Sequence, residues 1–200
     1  MNNPKKLYGL ILAGGFSKRM GQDKALMNYH GKTQIEYVHD LLTQAGCQQV
    51  FLSHRKDQAS YPKITSIHDN ASLTATGPLV GILSAMKTYP EASWLVLACD
   101  LPFVNSQTLL TLIEHRDPSK FATAFKSVHD ELPEPLCAIW EGDSYEKAME
   151  FLKQAIHCPR KVLIKSDIKI LDQQDPRWLD NVNDLEEYNQ AIKILHKTSF

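Results

Sequence analysis

The sequence predicts an α/β fold in three layers, with helices on both faces of a mostly parallel, twisted β-sheet. Short apolar segments typical of strands alternate with segments whose apolar residues recur at helical spacing. This alternation is typical of parallel sheets, because each helix carries the chain back to the start of the next strand. The chain has 200 residues, 43% of them hydrophobic, so we expect a single domain over residues 1–200.

The first half of the chain begins with a short apolar run at 7–13, which predicts a buried strand. Residues 33–45 carry Ile35 and Val38 on one helical face, and Gly46 is placed to end that helix. The remaining elements of this half are strands at 49–54 and 64–68 and a helix that begins at 77 and runs to about 87.

The second half contains a second apolar run at 94–99, which predicts a strand that ends at Asp100 and Pro102. Residues 126–135 are polar and contain prolines, so we expect a mobile loop near the functional site. The remaining elements are helices at 107–115, 143–155 and 185–196 and strands at 121–125, 136–140 and 168–171.

Composition excludes several classes of function. The net charge of −1 leaves no broad basic surface for nucleic acid. The apolar run at 7–13 is too short for a membrane span and is not followed by a signal-cleavage site. The four cysteines form no C-x-x-C pair and the histidines no H-x-x-x-H pair, so we expect reduced thiols, no zinc site and a cytoplasmic location.

A glycine-rich loop follows the first predicted strand and ends at Lys24. It leaves the carboxyl end of that strand, where open α/β sheets bind ligands. Gly14 and Gly15 let the backbone approach a ligand closely and present N–H groups to phosphate oxygens. Positive charge surrounds the same space, from Lys18, Arg19 and Lys24. We therefore assign the loop, with Gly14 and Gly15, to nucleotide binding.

Two familiar phosphate-binding patterns do not fit this loop. The Walker pattern needs a lysine after its last glycine, but Gln22 follows Gly21, and the G-x-G-x-x-G fingerprint of dinucleotide sites is absent. The structural alternative is a tight turn with solvated lysines.

The run LAGGFSKRMGQDK, from Leu12 to Lys24, closely resembles the signature of molybdenum cofactor guanylyltransferases. These enzymes belong to the nucleotidyltransferases with a Rossmann-like fold, and the resemblance implies that fold here. It also implies that Lys24 contacts the nucleotide and that Arg19 lies beside the phosphates. Backbone contacts with the guanine nucleotide are implied for Leu12, Ala13 and Gly14. Related cytidylyltransferases usually carry alanine where this chain has Gly14.

Asp100 is the best candidate for a magnesium ligand. Its position at the end of an apolar strand directs the carboxylate toward the same crevice as the glycine-rich loop. Magnesium is a hard cation that is usually held by one or two carboxylates together with substrate phosphates. The alternative is an aspartate that begins a turn before Pro102. The metal aspartate of the resembled family lies in the matching strand–Asp–x–Pro context.

Two further segments of the first half carry weaker signals. The resemblance implies that Asp69, at another strand end, helps to bind the nucleotide; its alternative role is in a cap or turn. Gly77, Pro78, Leu79 and Gly81 match the family's G-P-L-x-G and are interpreted as substrate-binding, at a helix N-terminus suited to an anion. The alternative is a proline chosen for the first helical turn.

The C-terminal part resembles family segments that face the pterin substrate, which implies acceptor-binding roles for Arg160, Asn181 and Asn183. Asn183 with Glu186 could instead be a helix N-cap and its partner. The family usually has Thr-Pro after the second asparagine, whereas this chain has Asp184 and Leu185, which favours the cap.

The resemblance implies transfer of GMP from GTP to molybdopterin or its molybdenum-loaded form, and we expect Mg²⁺, Arg19, Lys24 and Asp100 to act in catalysis. The N-terminal half would bind the nucleotide and the C-terminal half the acceptor, with transient contacts to cofactor-biosynthesis or acceptor enzymes. Two alternatives stay open. One is a nucleotidyltransferase for another acceptor, such as a sugar phosphate or a cytidylyl-type pterin. The other is a non-catalytic nucleotide-binding adaptor, which the intact Lys24 and Asp100 disfavour.

Overall fold

The computed structural model describes residues 5–13, 16–17, 22–54, 61–73 and 77–197, and contains one large sheet and one short hairpin. The large sheet has seven strands in the order β5-β4-β1-β6-β8-β7-β9. Its strands are β1 (Lys6–Leu12), β4 (Val50–His54), β5 (Thr65–His68), β6 (Ala92–Ala98), β7 (Ala122–Lys126), β8 (Pro133–Trp140) and β9 (Lys169–Leu171). The hairpin consists of β2 (Phe16–Ser17) and β3 (Gln22–Asp23).

The large sheet is parallel except for one strand. Strand β8 runs antiparallel to both of its neighbours, β6 and β7, while every other pair in the sheet is parallel. The register of β1 aligns Leu12 with Ser53 of β4 on one side and with Ala98 of β6 on the other. Three strands therefore end at the same level, and their carboxyl ends form one edge of the sheet.

Helices lie on both faces of the sheet, as predicted. They are α1 (Gln34–Gln44), α2 (Pro78–Thr88), α3 (Ser106–Glu114), α4 (Tyr145–Lys153), α5 (Pro159–Ile164) and α6 (Leu185–Lys197). Gly9 of β1 faces Leu42 of α1, whereas Leu12 of the same strand faces Gly81 of α2. Side chains of a strand alternate between its faces, so α1 and α2 lie on opposite faces of the sheet. Among the described residues, no helix is long and apolar enough to cross a membrane.

The core is centred on β6, in which all seven residues are buried. Trp94 of this strand packs edge-on against Tyr8 of β1, with ring centroids 5.7 Å apart, and is close to Phe51 of β4. Burial of such aromatic side chains contributes strongly to stability because each removes a large apolar area from water.

The structure corrects two expectations for the second half. Strand β7 extends to Lys126 and β8 begins at Pro133, so the expected loop at 126–135 is reduced to a six-residue turn over 127–132. That turn is closed by the N–H of Ser127, which donates to the carbonyl of Leu132 at 2.8 Å. The short helix α5 was missed, because six residues provide less than two turns of apolar periodicity.

A buried ion pair closes the amino-terminal edge of the sheet, opposite the strand ends described above. The guanidinium of Arg116 donates to both carboxylate oxygens of Glu141, at 2.8 and 2.7 Å, and Ser93 donates to the same carboxylate at 2.7 Å. Arg116 also donates to the carbonyl of Lys5. Glu141 is only 3% exposed, so these partners, rather than water, stabilise the carboxylate.

We expect Glu141→Gln to lower the free energy of unfolding by about 3–5 kcal/mol, because the change leaves the Arg116 guanidinium buried without its countercharge. Urea denaturation followed by circular dichroism provides the measurement, with Glu150→Gln on the exposed side of α4 as the control. A Glu141→Gln variant as stable as the control would show that the pair contributes nothing to folding.

Candidate functional site

A cavity of about 230 Å³ lies where β1, β6 and α2 meet at the carboxyl edge of the sheet. It is lined by Leu12, Ala13, Lys24, Pro78, Ala98, Cys99, Asp100 and Leu136. The parallel register explains the position, since β1 and β6 end side by side and their following residues turn away from the sheet. Open α/β sheets bind ligands in this crevice, and the structure brings the predicted residues Leu12, Ala13, Lys24 and Asp100 together there.

Lys24 begins a single turn of 3₁₀ helix, Lys24–Leu26, which is capped by the residue before it. The Asp23 carboxylate accepts a hydrogen bond from the N–H of Ala25 at 3.0 Å, which satisfies a backbone donor at the start of the turn. Tyr61 donates its hydroxyl to the same carboxylate at 3.4 Å. Burial, and secondarily the charge of Asp23, raises the pKa of Tyr61 to about 12. These contacts fix the backbone that carries Lys24.

The ammonium of Lys24 lies between Asp100 and Asn183. Its Nζ atom is 3.3 Å from Asp100 Oδ2 and donates to Asn183 Oδ1 at 2.8 Å. The Lys24 side chain is 16% exposed and that of Asp100 is 29% exposed, so the pair is partly shielded from water. Residues predicted separately from the glycine-rich loop and from the end of β6 therefore form one charged cluster. Asn183 was predicted to contact the acceptor substrate, and its hydrogen bond with Lys24 was not predicted.

The segment before α6 is attached directly to the end of β6. The N–H of Val182 donates to the carbonyl of Asp100 at 3.0 Å, which positions Asn183 beside Lys24. The predicted cap was one residue early. Asp184, rather than Asn183, caps α6, because its carboxylate accepts from the N–H groups of Glu186 and Glu187 at 3.0 and 2.9 Å.

The start of α2 forms one wall of the cavity. Gly77 has a φ of 69°, a backbone conformation that residues other than glycine rarely adopt. Pro78 occupies the first helical turn and lines the cavity. Leu79 is completely buried and does not line the cavity. Gly81 serves packing, because a Cβ atom there would lie 2.3 Å from the hydroxyl of Ser53.

Arg160 of α5 is held by two carboxylates. It donates to Asp130 Oδ2 at 2.9 Å and is bonded to Glu134, which lies two residues before the cavity residue Leu136 on the same face of β8. Burial raises the pKa of Glu134, and the Arg160 guanidinium opposes that shift. Arg160 is therefore bound to the strand that contributes Leu136 to the cavity, and its neighbours compensate part of its charge.

Other predicted residues lie farther out or outside the described part of the chain. Asn181 is exposed and lines a separate cavity of about 330 Å³ beside Arg177 and Asp180. Asp69 follows β5, two strands away from β1 at the same edge of the sheet. The predicted Gly14, Gly15 and Arg19 lie outside the described residues.

The donor set at Asp100 fits a magnesium ion that binds together with a phosphorylated ligand. Within the described ranges, no group of three or more histidine, cysteine or acidic side chains converges on one point, so a complete protein cage for a metal is absent there. Magnesium in nucleotide sites needs only one or two carboxylates, since phosphates and water complete its coordination. The hard carboxylate of Asp100 on the cavity wall meets that requirement.

Sequence reasoning missed Asp23, Tyr61 and Leu136, which position Lys24 or line the cavity. Asp23 had a local signal, because an aspartate immediately before a short helical turn is a favoured cap. Tyr61 and Leu136 had none, since their positions depend on how distant segments pack.

Comparisons with known proteins show what this chain is similar to. Residues 9–169 match the model of the MobA-like NTP transferase domain. A molybdenum cofactor biosynthesis bifunctional protein of Synechocystis sp. is 35% identical over 187 residues, which are 92% of this chain and 53% of that protein. This chain therefore spans about half the length of that relative.

Two further comparisons cover nearly the whole of both chains. A probable molybdenum cofactor guanylyltransferase of Bacillus cereus is 32% identical over 198 residues, which are 95% of this chain and 98% of the relative. The crystal structure of molybdopterin-guanine dinucleotide biosynthesis protein A from Archaeoglobus fulgidus superposes with a TM-score of 0.76. It covers 95% of this chain and 99% of that one at 22% identity, which supports the fold.

We expect one rapidly reacting thiol in the native protein. Cys158 is exposed, whereas Cys47, Cys99 and Cys137 are buried. Burial raises the pKa of Cys47 to about 12 and strongly raises the pKa values of Cys99 and Cys137, so few thiolates form there. Titration with a chromogenic disulfide at pH 8 should label one thiol natively and four in denaturant, and Cys158→Ser should remove the native signal. Rapid native labelling of Cys99 would show that the cavity wall is open.

Proposed function

This chain belongs to the MobA-like NTP transferase family, and from that membership we propose that it transfers GMP from GTP to molybdopterin or its molybdenum-loaded form. Its relatives include a protein named as a probable molybdenum cofactor guanylyltransferase. The observation that carries the proposal is the meeting of Lys24 and Asp100 on a cavity at the carboxyl ends of β1 and β6. A cation and a carboxylate together suit a triphosphate that binds with a metal ion.

The proposed reaction forms one phosphorus–oxygen bond and breaks another. An oxygen of the acceptor's terminal phosphate attacks the α-phosphorus of GTP, the bond to the β-phosphate oxygen breaks, and pyrophosphate leaves. The attacking oxygen already carries negative charge, so no strong protein base is required. The protein must instead hold two anionic substrates in contact and offset their repulsion.

The nucleotide side of the site is proposed as follows. Lys24 donates to phosphate oxygens and stabilises the departing pyrophosphate, with Arg19 beside it. Backbone N–H groups of Gly14 and Gly15 bind phosphate oxygens, and Asp69 contacts the nucleotide. Asp100 would hold magnesium, which supplies charge neutralisation and orients phosphate oxygens when bound.

The acceptor side is proposed for the second half of the chain, around Arg160 and Asn181. Arg160 can offer the planar guanidinium that binds phosphate oxygens in pairs, and Asp130 and Glu134 hold it in position. The start of α2 at Gly77 is proposed to contact substrate through its backbone. We also propose a cytoplasmic enzyme that contacts other proteins of cofactor biosynthesis transiently.

The base preference provides the test of the guanylyl assignment. We expect magnesium, molybdopterin and GTP to yield pyrophosphate and a product heavier than molybdopterin by one guanylyl group, which is GMP less one water. The other nucleoside triphosphates, supplied singly and in competition, are expected to give little product. If CTP supports transfer as well as GTP does, the guanylyl assignment is wrong while transfer itself remains.

We expect Asp100→Asn to leave a folded protein whose transfer rate is reduced on the order of a hundredfold or more. The neutral amide oxygen of asparagine is a poorer ligand for a hard divalent cation than a carboxylate is. Asparagine can, however, form turn hydrogen bonds similar to those of aspartate, so the fold should be retained. Added magnesium should recover part of the rate. The matched control is Asp167→Asn, which also removes an aspartate paired with a lysine, Lys120, but at an exposed position.

Near-normal turnover of folded Asp100→Asn would move the metal site elsewhere, with Asp69 as the next candidate. A variant that fails to fold would instead assign Asp100 a structural role.

A further inference from the structure

We propose that Asn183 is a positioning residue for Lys24, so that the segment before α6 aims the ammonium at the nucleotide's phosphates. This inference deepens the proposed function and rests on it. Asn183 was expected to contact the acceptor, but its side chain reaches the nucleotide side of the site. The acceptor half of the chain would therefore contribute to triphosphate binding through Lys24.

The distances favour Asn183 as the residue that orients the ammonium. Lys24 Nζ donates to Asn183 Oδ1 at 2.8 Å, which is a normal hydrogen bond, whereas its distance to Asp100 Oδ2 is 3.3 Å. A lysine side chain has four rotatable bonds and loses much freedom when its ammonium is fixed. A partner that restricts it before the ligand arrives removes part of that cost from binding.

The backbone at Asn183 is held on both sides. Its own N–H donates to Glu187 Oε2 at 2.6 Å, and the preceding N–H, of Val182, donates to the carbonyl of Asp100. Asp184 caps the helix that follows. The amide oxygen is therefore presented by a rigid turn.

A small apolar cluster attaches this turn to the segment that follows Lys24. The cluster contains Met27, Tyr29, Val182 and Ala191, all buried, with Tyr188 packed against them. Tyr188 donates its hydroxyl to the carbonyl of Asn28 at 3.0 Å, and its ring meets that of Tyr29 edge-on at 5.0 Å between centroids. Both partners of the Lys24–Asn183 hydrogen bond are thus fixed to the same local core.

The chemistry of an amide suits this role better than a carboxylate does. Asp100 offsets the charge of Lys24, whereas the neutral Asn183 holds the ammonium and leaves its charge available to a phosphate. If Asp100 binds a metal ion, Asn183 is still able to accept the hydrogen bond from Lys24. Orientation and charge compensation are thereby assigned to two different residues.

A double-mutant cycle tests whether Asn183 acts through Lys24. The variants are Asn183→Ala, Asn183→Asp, Lys24→Ala and the double alanine variant, with exposed Asn189→Ala of α6 as the control. Calorimetry measures Kd for GTP with magnesium and for inorganic tripolyphosphate without metal. Tripolyphosphate lacks a base, so it reports on phosphate binding whichever nucleotide is the substrate. Thermal unfolding confirms that each variant is folded.

We expect Asn183→Ala to weaken binding of both probes about three- to tenfold, the effect of one hydrogen bond, and to have no further effect when Lys24 is already alanine. Asn183→Asp should weaken tripolyphosphate binding more, because a carboxylate neutralises the ammonium and repels the anion. This variant preserves side-chain size, so it also tests the proposal if Asn183→Ala unfolds. Asn189→Ala should bind as the unchanged protein does.

Two results would overturn the proposal. Unchanged affinity in both Asn183 variants would show that Asn183 does not position Lys24, which would leave only its predicted contact with the acceptor substrate. Equal losses with and without Lys24 would show that Asn183 affects binding independently of the lysine. If the unchanged protein binds neither probe, the proposed function itself fails, which is a distinct outcome.

Discussion

The complete burial of β6 is the constraint on which the arrangement of the site depends. A strand buried on both faces can carry no uncompensated charge, so the first carboxylate after it, Asp100, appears only where the strand emerges. Strand β1 pairs along its whole length and ends level with it, and the residues that follow both strands meet at one cavity. The position of the charged cluster is therefore a consequence of the core.

Because β8 runs antiparallel to β6, the two sides of this cavity are formed by different parts of their strands. On one side, parallel strands β1 and β6 contribute residues that follow their carboxyl ends. On the other, β8 runs antiparallel to β6 and contributes residues near its own beginning, such as Leu136, with Arg160 bound to the same strand through Glu134. Asp100 follows β6, the strand that lies between β1 and β8. A reaction that joins two anions needs countercharge at such a junction.

The sequence predicted the elements whose signals are local. Apolar runs identified β1 and β6, helical spacing identified α1, and a glycine-rich loop and a strand-terminal aspartate identified Lys24 and Asp100. The direction of β8 was not predictable, because an isolated strand segment carries no signal for parallel or antiparallel pairing. The cap of α6 was misplaced by one residue because Asn183 and Asp184 are both favoured caps, and only the folded backbone distinguishes them.

The part of the site that the sequence did not predict depends on contacts between distant segments. Lys24 and Asn183 are separated by 159 positions, and nothing in either local sequence indicates the other. Their hydrogen bond forms because two contacts bring the segments together. One is the small apolar cluster that contains Met27 and Val182, and the other is the backbone hydrogen bond from Val182 to Asp100. A motif near the N-terminus can thus indicate that Lys24 belongs to the candidate site without revealing its hydrogen-bond partner. That partner follows from the packing of α6, so the C-terminal helix belongs to the same structural unit as Lys24 and the residues that follow it.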